Sequence, residues 1–139
     1  MEYAAPTTVD EARTLLADNP GSRVFAGATD VVPQMRSGRP EPSVLIDLKR
    51  IDRLMSVAHD NGHWTIGAAM PTSELTSNGE FSSVFPGISE GAGWIGSDQI
   101  QNRSSLGGNL CNGSPAADSV PAMIASEARA VIAGADGDH

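Results

Sequence analysis

The segment GAGWIG, residues Gly91–Gly96, constrains the possible folds more than any other feature of the sequence. It matches G-x-G-x-x-G, the glycine fingerprint of dinucleotide-binding βαβ units. That fingerprint requires a strand before it, a helix beginning within it, and an acidic residue about 20 residues later. The preceding residues include Pro86 and Gly87 and predict a helix or a turn. The following SDQIQNRSS is too polar for a helix packed on a sheet.

Asp118 satisfies the distance requirement of the fingerprint, but it is predicted on a helix, whereas the acidic residue of a Rossmann fold follows a second strand. We therefore expect the glycines of GAGWIG to let a helix end pack closely. A NAD-binding Rossmann-like module that uses Gly91–Gly96 is kept as an alternative.

Length and charge limit the remaining classes of protein. A chain of 139 residues can form one domain, or two small subdomains that share a cleft. The net charge is −8 and the basic residues are scattered, so we expect no nucleic-acid partner. No apolar run approaches the roughly 20 residues of a membrane-spanning helix. The N-terminal residues also lack the features of a signal peptide, so we expect a cytoplasmic protein with no membrane span.

The cysteine and histidine content indicates which cofactors this chain can hold. Cys111 is the single cysteine, so the chain cannot form an intrachain disulfide or hold an iron–sulfur cluster with four thiolates by itself. His59 and His63 have the spacing of a helical metal pair, but the residues 60–62 between them predict a turn. We therefore expect no metal site.

The first half of the chain predicts alternating helices and strands. Thr7 or Thr8 is expected to cap a first helix. The predicted elements are a helix over 9–19, a strand over 24–26, a tight loop over 27–30, a helix over 31–37, a strand at SVLIDL, and a hairpin turning at Asp60-Asn61-Gly62.

The second half predicts short helices and a final hairpin. A helix opens at Pro71 and another begins at about Phe85, whereas residues 98–113 predict an irregular loop. A further helix is predicted with Ser114 as its N-cap and Pro115 at its first position. ARAVIAG predicts a strand, followed by a turn over 135–138 whose return strand is missing. We therefore expect the first part of a longer domain.

Two other glycine loops are better placed than GAGWIG to bind a nucleotide. Ala26–Asp30 joins a buried strand to a helix, so its backbone N–H groups can converge on an anion such as a pyrophosphate. Ser105–Asn109 adds hydroxyl and amide donors to glycines that admit close approach. Neither loop contains the G-K-[ST] of a P-loop. Each loop alone also fits a plain turn.

Three blocks of sequence, taken together, resemble the FAD-binding subunit or domain of the molybdenum-containing hydroxylases. They are FAGATDVVPQMR, TIGAAMPTSEL and QIQNRSSLGGNLCNGSPAADSVPAMIASEA. That family includes xanthine dehydrogenase and aerobic carbon monoxide dehydrogenase, and the resemblance extends from about Pro6 to Ile132. It implies an α+β fold of the vanillyl-alcohol-oxidase type, C-terminally truncated. Its two small FAD-binding subdomains would be residues 1–55 and residues 56–139, the second incomplete at its C-terminus.

The resemblance also implies the cofactor-binding residues. Asp118 matches an acidic residue that contacts the flavin, and Ile95 falls where some relatives place an aromatic residue against the cofactor. Two loops would hold the pyrophosphate of FAD: Val24, Phe25, Ala26, Gly27, Ala28, Thr29, Asp30 and Val31 in the first, and Ser105, Leu106, Gly107, Gly108 and Asn109 in the second.

The chain departs from the family pattern at two loop positions. Ala28 stands where a glycine is common, and a positive φ there would make its β-carbon cost about 1 kcal/mol. Ser105 stands where threonine is frequent, which keeps the hydroxyl. Arg103 is the one basic residue close to the second loop, and both a phosphate contact and a solvated surface charge remain open.

The function that the resemblance implies is electron transfer within a larger complex. This chain would be the FAD-binding component of a multi-subunit molybdenum-containing oxidoreductase. A large partner subunit would carry the molybdenum cofactor, and a small partner subunit would carry two 2Fe-2S clusters, from which FAD passes electrons to an external acceptor. No catalytic side chain is expected, because the flavin carries the redox chemistry.

The length of the chain leaves alternatives open. The family's flavin subunits continue well beyond 139 residues. Either this chain is a fragment that alone lacks activity, or it binds FAD poorly or only with a partner. A truncated, non-catalytic, partner-docking domain is the remaining alternative.

Overall fold

The computed structural model describes residues 1–139, of which the first third forms a three-stranded parallel sheet. Its strands are β1 (Glu2–Ala4), β2 (Arg23–Phe25) and β3 (Val44–Asp47), in the order β1-β3-β2. All four residues of the central strand β3 are buried. This burial agrees with the continuous apolar run that predicted the strand.

Two helices connect these strands. The helix α1 (Val9–Asp18) begins with a capping box, in which the Glu11 N–H donates to Thr8 Oγ1 at 3.1 Å and the Thr8 N–H donates to the Glu11 carboxylate. The helix α2 (Val31–Arg36) follows the loop after β2. Both helices and the strands β2 and β3 are confirmed, with boundaries that differ from the expected ones by at most one residue, whereas the sequence did not predict β1.

A hairpin follows the sheet, after two short 3-10 turns over Leu48–Arg50 and Asp52–Leu54. It consists of β4 (Val57–Asp60) and β5 (His63–Ile66). Between the strands, φ is 49° at Asn61 and 78° at Gly62. These are the positive φ angles that a two-residue turn of this kind needs, so the predicted hairpin is confirmed.

The rest of the chain is mainly helical and contains a cluster of buried apolar residues. Its elements are α3 (Thr72–Ser77), α4 (Gly79–Val84), α5 (Pro86–Gly93), α6 (Asp98–Gln101), α7 (Leu106–Asn112) and α8 (Val120–Ala125), followed by the hairpin of β6 (Ala133–Gly134) and β7 (Gly137–Asp138). Leu75, Phe81, Ile88, Ala92 and Leu106 form a buried cluster at its centre. None of the helices is both long and apolar enough to cross a membrane.

The prediction of an irregular loop over residues 98–113 is wrong, because this segment contains the helices α6 and α7. Two glycines in α7 each cost about 1 kcal/mol of helix propensity. Ser105 offsets part of this cost by capping the helix, since its Oγ accepts the Gly108 N–H at 3.0 Å. Leu106 adds a buried side chain in the core cluster. Long-range packing therefore overrides the local sequence preference.

The helix expected to start with Ser114 begins at Val120 instead. The Ser114 hydroxyl accepts the Ala116 N–H at 3.2 Å and closes a local turn. As a consequence, Asp118 lies in a bend before α8 and not on a helix.

The strand expected at ARAVIAG is also shorter than predicted. Only Ala133–Gly134 forms a strand, and its return strand Gly137–Asp138 is present. The side chains of Val131 and Ile132 are 67% and 64% exposed. Without a buried face, these residues gain little from a longer strand.

The GAGWIG segment forms the end of helix α5 and the turn after it. A helix precedes it and not a strand, so the Rossmann-like alternative is wrong. A β-carbon on Gly91 would lie 2.6 Å from the Asp118 carbonyl oxygen, and Gly96 has a φ of 58°. The expectation that these glycines allow a helix end to pack closely is therefore confirmed.

Candidate functional site

A cleft of about 340 Å³ lies between the loop that follows β2 and the helix α7. Its volume is within the range of roughly 300–1,000 Å³ that is typical of small-molecule sites. Thirteen of the residues expected at the site line it, namely Val24, Phe25, Ala26, Gly27, Ala28, Thr29, Asp30, Val31, Ile95, Ser105, Gly107, Gly108 and Asn109. The structure therefore brings the two glycine loops and Ile95 to one place.

Two of the expected residues do not line the cleft. Leu106 is 6% exposed and packs in the core cluster. Asp118 is exposed in the bend before α8, where its carbonyl packs against Gly91.

Six further residues line the cleft that the sequence did not indicate: Arg23, Leu48, Ala68, Ser104, Cys111 and Asn112. Cys111 and Asn112 follow Gly108 by three and four positions on α7, which places all three on one side of the helix. A helix predicted over residues 106–112 would have indicated that Cys111 and Asn112 share the side of the helix that faces the cleft.

The first loop leaves a run of backbone donors free. None of the backbone N–H groups of Gly27–Val31 donates to an acceptor within the protein. Backbone N–H groups that lack a protein partner bind water or a ligand, and several such groups in sequence form an anion-binding concavity. The loop is therefore suited to an anionic group in the cleft.

The cleft has few side-chain charges of its own. Arg23 and Asp30 are its only Arg, Lys, Asp or Glu residues. The Arg23 guanidinium donates to the neutral Gln34 side-chain oxygen at 2.7 Å and forms no ion pair. The Gln34 amide donates to Asn112 Oδ1 at 2.9 Å, which joins this end of the cleft to α7. A doubly charged anion in the cleft would therefore depend largely on backbone and amide donors.

Gly27 holds the two loops together. A β-carbon at this position would lie 1.7 Å from the carbonyl oxygen of Arg103, which lies two residues before the second loop. The Arg103 guanidinium reaches back to the Gly27 carbonyl, with 3.5 Å from Nε to O. Arg103 itself does not line the cleft. The absence of a side chain at Gly27 is thus what allows the walls of the cleft to meet.

The buried hydroxyl groups of Thr72 and Ser104 hold the start of the second loop in place. The Thr72 N–H donates to the Ser104 carbonyl at 2.9 Å, and the two hydroxyl oxygens are 2.8 Å apart. Gly107 packs against the backbone of Ala68, where a β-carbon would lie 2.5 Å from the carbonyl oxygen. Gly108 also lines the cleft, and the nearest atom to a β-carbon there is Ser105 Oγ at 3.0 Å.

An ionic network at the end of β3 holds the first loop. Lys49 Nζ donates to Asp47 Oδ1 at 2.6 Å and to the Ala26 carbonyl at 2.8 Å, and it lies 4.4 Å from the centre of the Phe25 ring. The Tyr3 hydroxyl donates to the other Asp47 oxygen at 2.8 Å. Burial opposes ionisation of Asp47, but the hydrogen bonds from Lys49 and Tyr3 outweigh it and hold the pKa of Asp47 below its usual range.

Acid is expected to weaken the fold through Asp47. Because the folded-state pKa is lowered, the carboxylate stabilises the fold above its unfolded-state pKa of about 3.9, and this contribution is lost as the pH falls through the folded-state pKa. Asp47→Asn should lower the unfolding free energy near neutral pH by about 1.5–3 kcal/mol, and by less in acid. Urea unfolding of both proteins near neutral pH and in acid measures these changes in unfolding free energy. Asp52→Asn, at an exposed residue, is the control, and equal effects of the two substitutions would contradict the prediction.

Ala28 has a φ of 61°. It therefore adopts the positive φ at which a β-carbon is unfavourable. Ala28→Gly should raise the unfolding free energy, because it removes a β-carbon that costs about 1 kcal/mol in this conformation. The net gain should be smaller, since glycine also raises the entropy of the unfolded chain. Thermal unfolding measures the effect. Ala26→Gly, at a residue without positive φ, should destabilise the protein, and a loss of stability in both variants would refute the strain at Ala28.

Comparisons with known proteins agree on one kind of domain. A family model described as the FAD-binding domain in molybdopterin dehydrogenase matches residues 1–139. The carbon monoxide dehydrogenase medium chain of Hydrogenophaga pseudoflava is 32% identical over 138 residues, which are 99% of this chain and 48% of that protein. The 6-hydroxypseudooxynicotine dehydrogenase complex subunit alpha of Paenarthrobacter nicotinovorans is 31% identical, over 92% of this chain and 44% of that protein.

Solved structures give the same result. A structure of carbon monoxide dehydrogenase from Hydrogenophaga pseudoflava, which lacks the Mo-pyranopterin moiety of the molybdenum cofactor, superposes with a TM-score of 0.95 at 31% identity. The match covers 100% of this chain and 49% of that chain. The mixed α and β architecture of an FAD-binding fold is therefore confirmed. The chain spans about half the length of the relatives it matches.

Proposed function

Because the chain belongs to the family of FAD-binding domains in molybdopterin dehydrogenases, we propose that it is the FAD-binding component of a multi-subunit molybdenum-containing oxidoreductase. Its partners would be a large subunit with the molybdenum cofactor and a small subunit with 2Fe-2S clusters. When bound, FAD accepts electrons from the clusters and delivers them to an external acceptor. The relatives that support this proposal include medium and FAD-binding subunits of carbon monoxide and xanthine dehydrogenases.

One observation carries the proposal, which is the run of free backbone N–H groups from Gly27 to Val31 on the wall of the cleft. The pyrophosphate of FAD carries two negative charges, and oriented N–H dipoles compensate such charges where cationic side chains are few. The residues present therefore fit FAD. Gly27–Val31 and Gly107–Asn109 would hold the pyrophosphate, and the apolar side chains of Val24 and Ile95 would exclude water from the rest of the cofactor.

The proposal includes Leu106 and Asp118 as cofactor-binding residues, although neither lines the cleft. The Leu106 side chain lies in the core, so its contact with the cofactor would come from its backbone. Asp118 directly precedes Ser119, which bonds to Asn109 in the cleft wall. Its exposed carboxylate would reach the flavin from that side.

We also propose that the cleft separates two subdomains, residues 1–55 and residues 56–139. The parallel sheet lies entirely within the first range, and the buried core cluster lies entirely within the second. The C-terminal hairpin packs back on the first range through Asp138, whose carboxylate accepts hydrogen bonds from Arg13 and Arg53.

A cytoplasmic location belongs to the same proposal. Cys111 is an exposed free thiol on the wall of the cleft, and a thiol in that position is kept reduced in the cytosol. Fractionation of the native cells, with the complex followed by its flavin absorbance, tests the location.

Titration of the purified chain with FAD tests the proposed function. Saturable binding is expected, with the absorbance of oxidised flavin retained after gel filtration, and NAD should not compete. Because the chain spans about half the length of its relatives, the titration is repeated in the presence of the molybdenum and iron–sulfur subunits. Absence of binding under both conditions would refute the proposal and favour a non-catalytic docking domain.

A further inference from the structure

Ser119 is a buried residue outside the lining of the cleft. Its side chain is 0% exposed, and its hydroxyl donates to Asn109 Oδ1 at 2.7 Å. Asn109 lies on the wall of the cleft, whereas Ser119 does not. The hydrogen bond therefore joins a buried residue outside the cleft to a polar side chain inside it.

The Ser119 hydroxyl is diverted from its ordinary role. Ser119 occupies the N-cap position of α8, where serine usually accepts a hydrogen bond from a backbone N–H of the first turn. Here the side chain makes no capping hydrogen bond, and the hydroxyl donates to Asn109 instead. The helix thus forgoes its cap while the Asn109 side chain is held in one orientation.

The direction of this hydrogen bond determines which end of the Asn109 amide remains available. An asparagine side chain carries one acceptor oxygen and one NH₂ group with two donors. Because a donated hydrogen bond occupies Oδ1, the NH₂ group occupies the opposite branch of the amide, and it donates to no acceptor within the protein. Asn109 therefore presents free donors in a cleft whose lining contains a single cationic side chain, that of Arg23.

We propose that Ser119 is a positioning residue that turns the Asn109 NH₂ group toward the diphosphate of the bound dinucleotide. The inference rests on the proposed function, since it takes FAD as the ligand of the cleft. The GAGWIG segment contributes indirectly to the position of Ser119. Because Gly91 lacks a side chain, residues 118–119 can pack against α5. A β-carbon on Gly91 would lie 3.3 Å from the Ser119 Cα.

A double-mutant cycle in the full chain tests whether Ser119 acts through Asn109. Ser119→Ala should weaken FAD binding about 10-fold in the wild-type background and by less than about 2-fold in an Asn109→Ala background. Ser126→Ala, at the exposed far end of α8, is the matched control and should leave FAD affinity unchanged. An equal loss in both backgrounds, or no loss in the wild-type background, would overturn the inference.

Asn109→Asp gives a second test that leaves Ser119 in place. One carboxylate oxygen still accepts the Ser119 hydroxyl, so thermal stability should be kept, but the other oxygen would face the diphosphate with a negative charge. FAD and ADP should bind at least about 100-fold more weakly, and adenosine, which has no phosphate, should compete as before. FAD affinity equal to wild type would overturn the inference, even if Ser119→Ala fails to fold.

Two outcomes distinguish failure of the proposed function from failure of the role of Ser119. A wild-type chain that does not bind FAD, even with its partner subunits, refutes the proposed function and this inference together. A wild-type chain that binds FAD, with no coupling between Ser119 and Asn109, refutes only the role of Ser119.

Discussion

Gly108→Val is expected to lower FAD affinity by at least about 100-fold while the protein keeps its fold. Gly108 lies in the first turn of α7 and faces the cleft, so a larger side chain would occupy the space of the ligand. Its φ is not in the left-handed region, so valine is compatible with the backbone. A β-carbon would meet only the Ser105 hydroxyl, at 3.0 Å. Fluorescence titration with FAD gives the affinity, and circular dichroism follows the fold.

Gly93→Val is the matched control for this substitution. Gly93 belongs to the GAGWIG segment, is exposed, and has no atom within 4 Å of an added β-carbon. Its FAD affinity should stay within about 2-fold of wild type. If Gly93→Val impairs binding as strongly as Gly108→Val, the cofactor is not held at the second glycine loop.

Gly27→Ala is expected to lower both stability and FAD affinity. The added β-carbon would lie 1.7 Å from the carbonyl oxygen and 2.3 Å from the carbonyl carbon of Arg103. These are backbone atoms that cannot rotate away, so the two loops must separate. Overpacking of this kind costs about 1–3 kcal/mol, and we expect the upper end of that range because the contact involves backbone. Separation of the loops should weaken FAD binding by more than about 10-fold.

Gly79→Ala provides the comparison for Gly27→Ala. A β-carbon at Gly79 would meet no atom within 4 Å, and φ there is not positive. Urea unfolding should therefore show unchanged or slightly raised stability for this variant, because alanine favours a helix more than glycine does. A Gly27→Ala protein as stable as Gly79→Ala would mean that the two loops do not touch as described.

Local signals in the sequence predicted the elements that local interactions stabilise. Thr8 and Glu11 form the capping box that starts α1, and Asn61 and Gly62 form the turn of the hairpin. In each case the residues that determine the structure are neighbours in sequence. Pattern and propensity are sufficient for such elements.

Helix α7 was missed because long-range packing stabilises it. Gly107 and Gly108 argue against a helix locally, but Leu106 is buried in the core and Gly107 packs on Ala68. Cys111 and Asn112 on this helix were not predicted as cleft residues for the same reason. The family resemblance supplied the loop residues, whereas Cys111 and Asn112 required the helix itself.

The role of Gly27 could not be predicted from its own segment. The loop containing it predicted a turn or a phosphate contact, but its closest neighbour is Arg103, 76 residues away in sequence. Similarly, only the folded chain shows that the Gly27–Val31 backbone N–H groups have no protein partner.

Amide NMR of the ¹⁵N-labelled chain tests the central claim most directly, namely that the first loop binds the diphosphate through its backbone. Addition of FAD or ADP should shift the resonances of the free N–H groups of Gly27–Val31, whereas riboflavin, which has no phosphate, should leave them nearly unchanged. Asn61 and Gly62 in the hairpin turn, which do not line the cleft, serve as internal controls. Bound FAD that leaves the Gly27–Val31 amides unshifted would contradict the account.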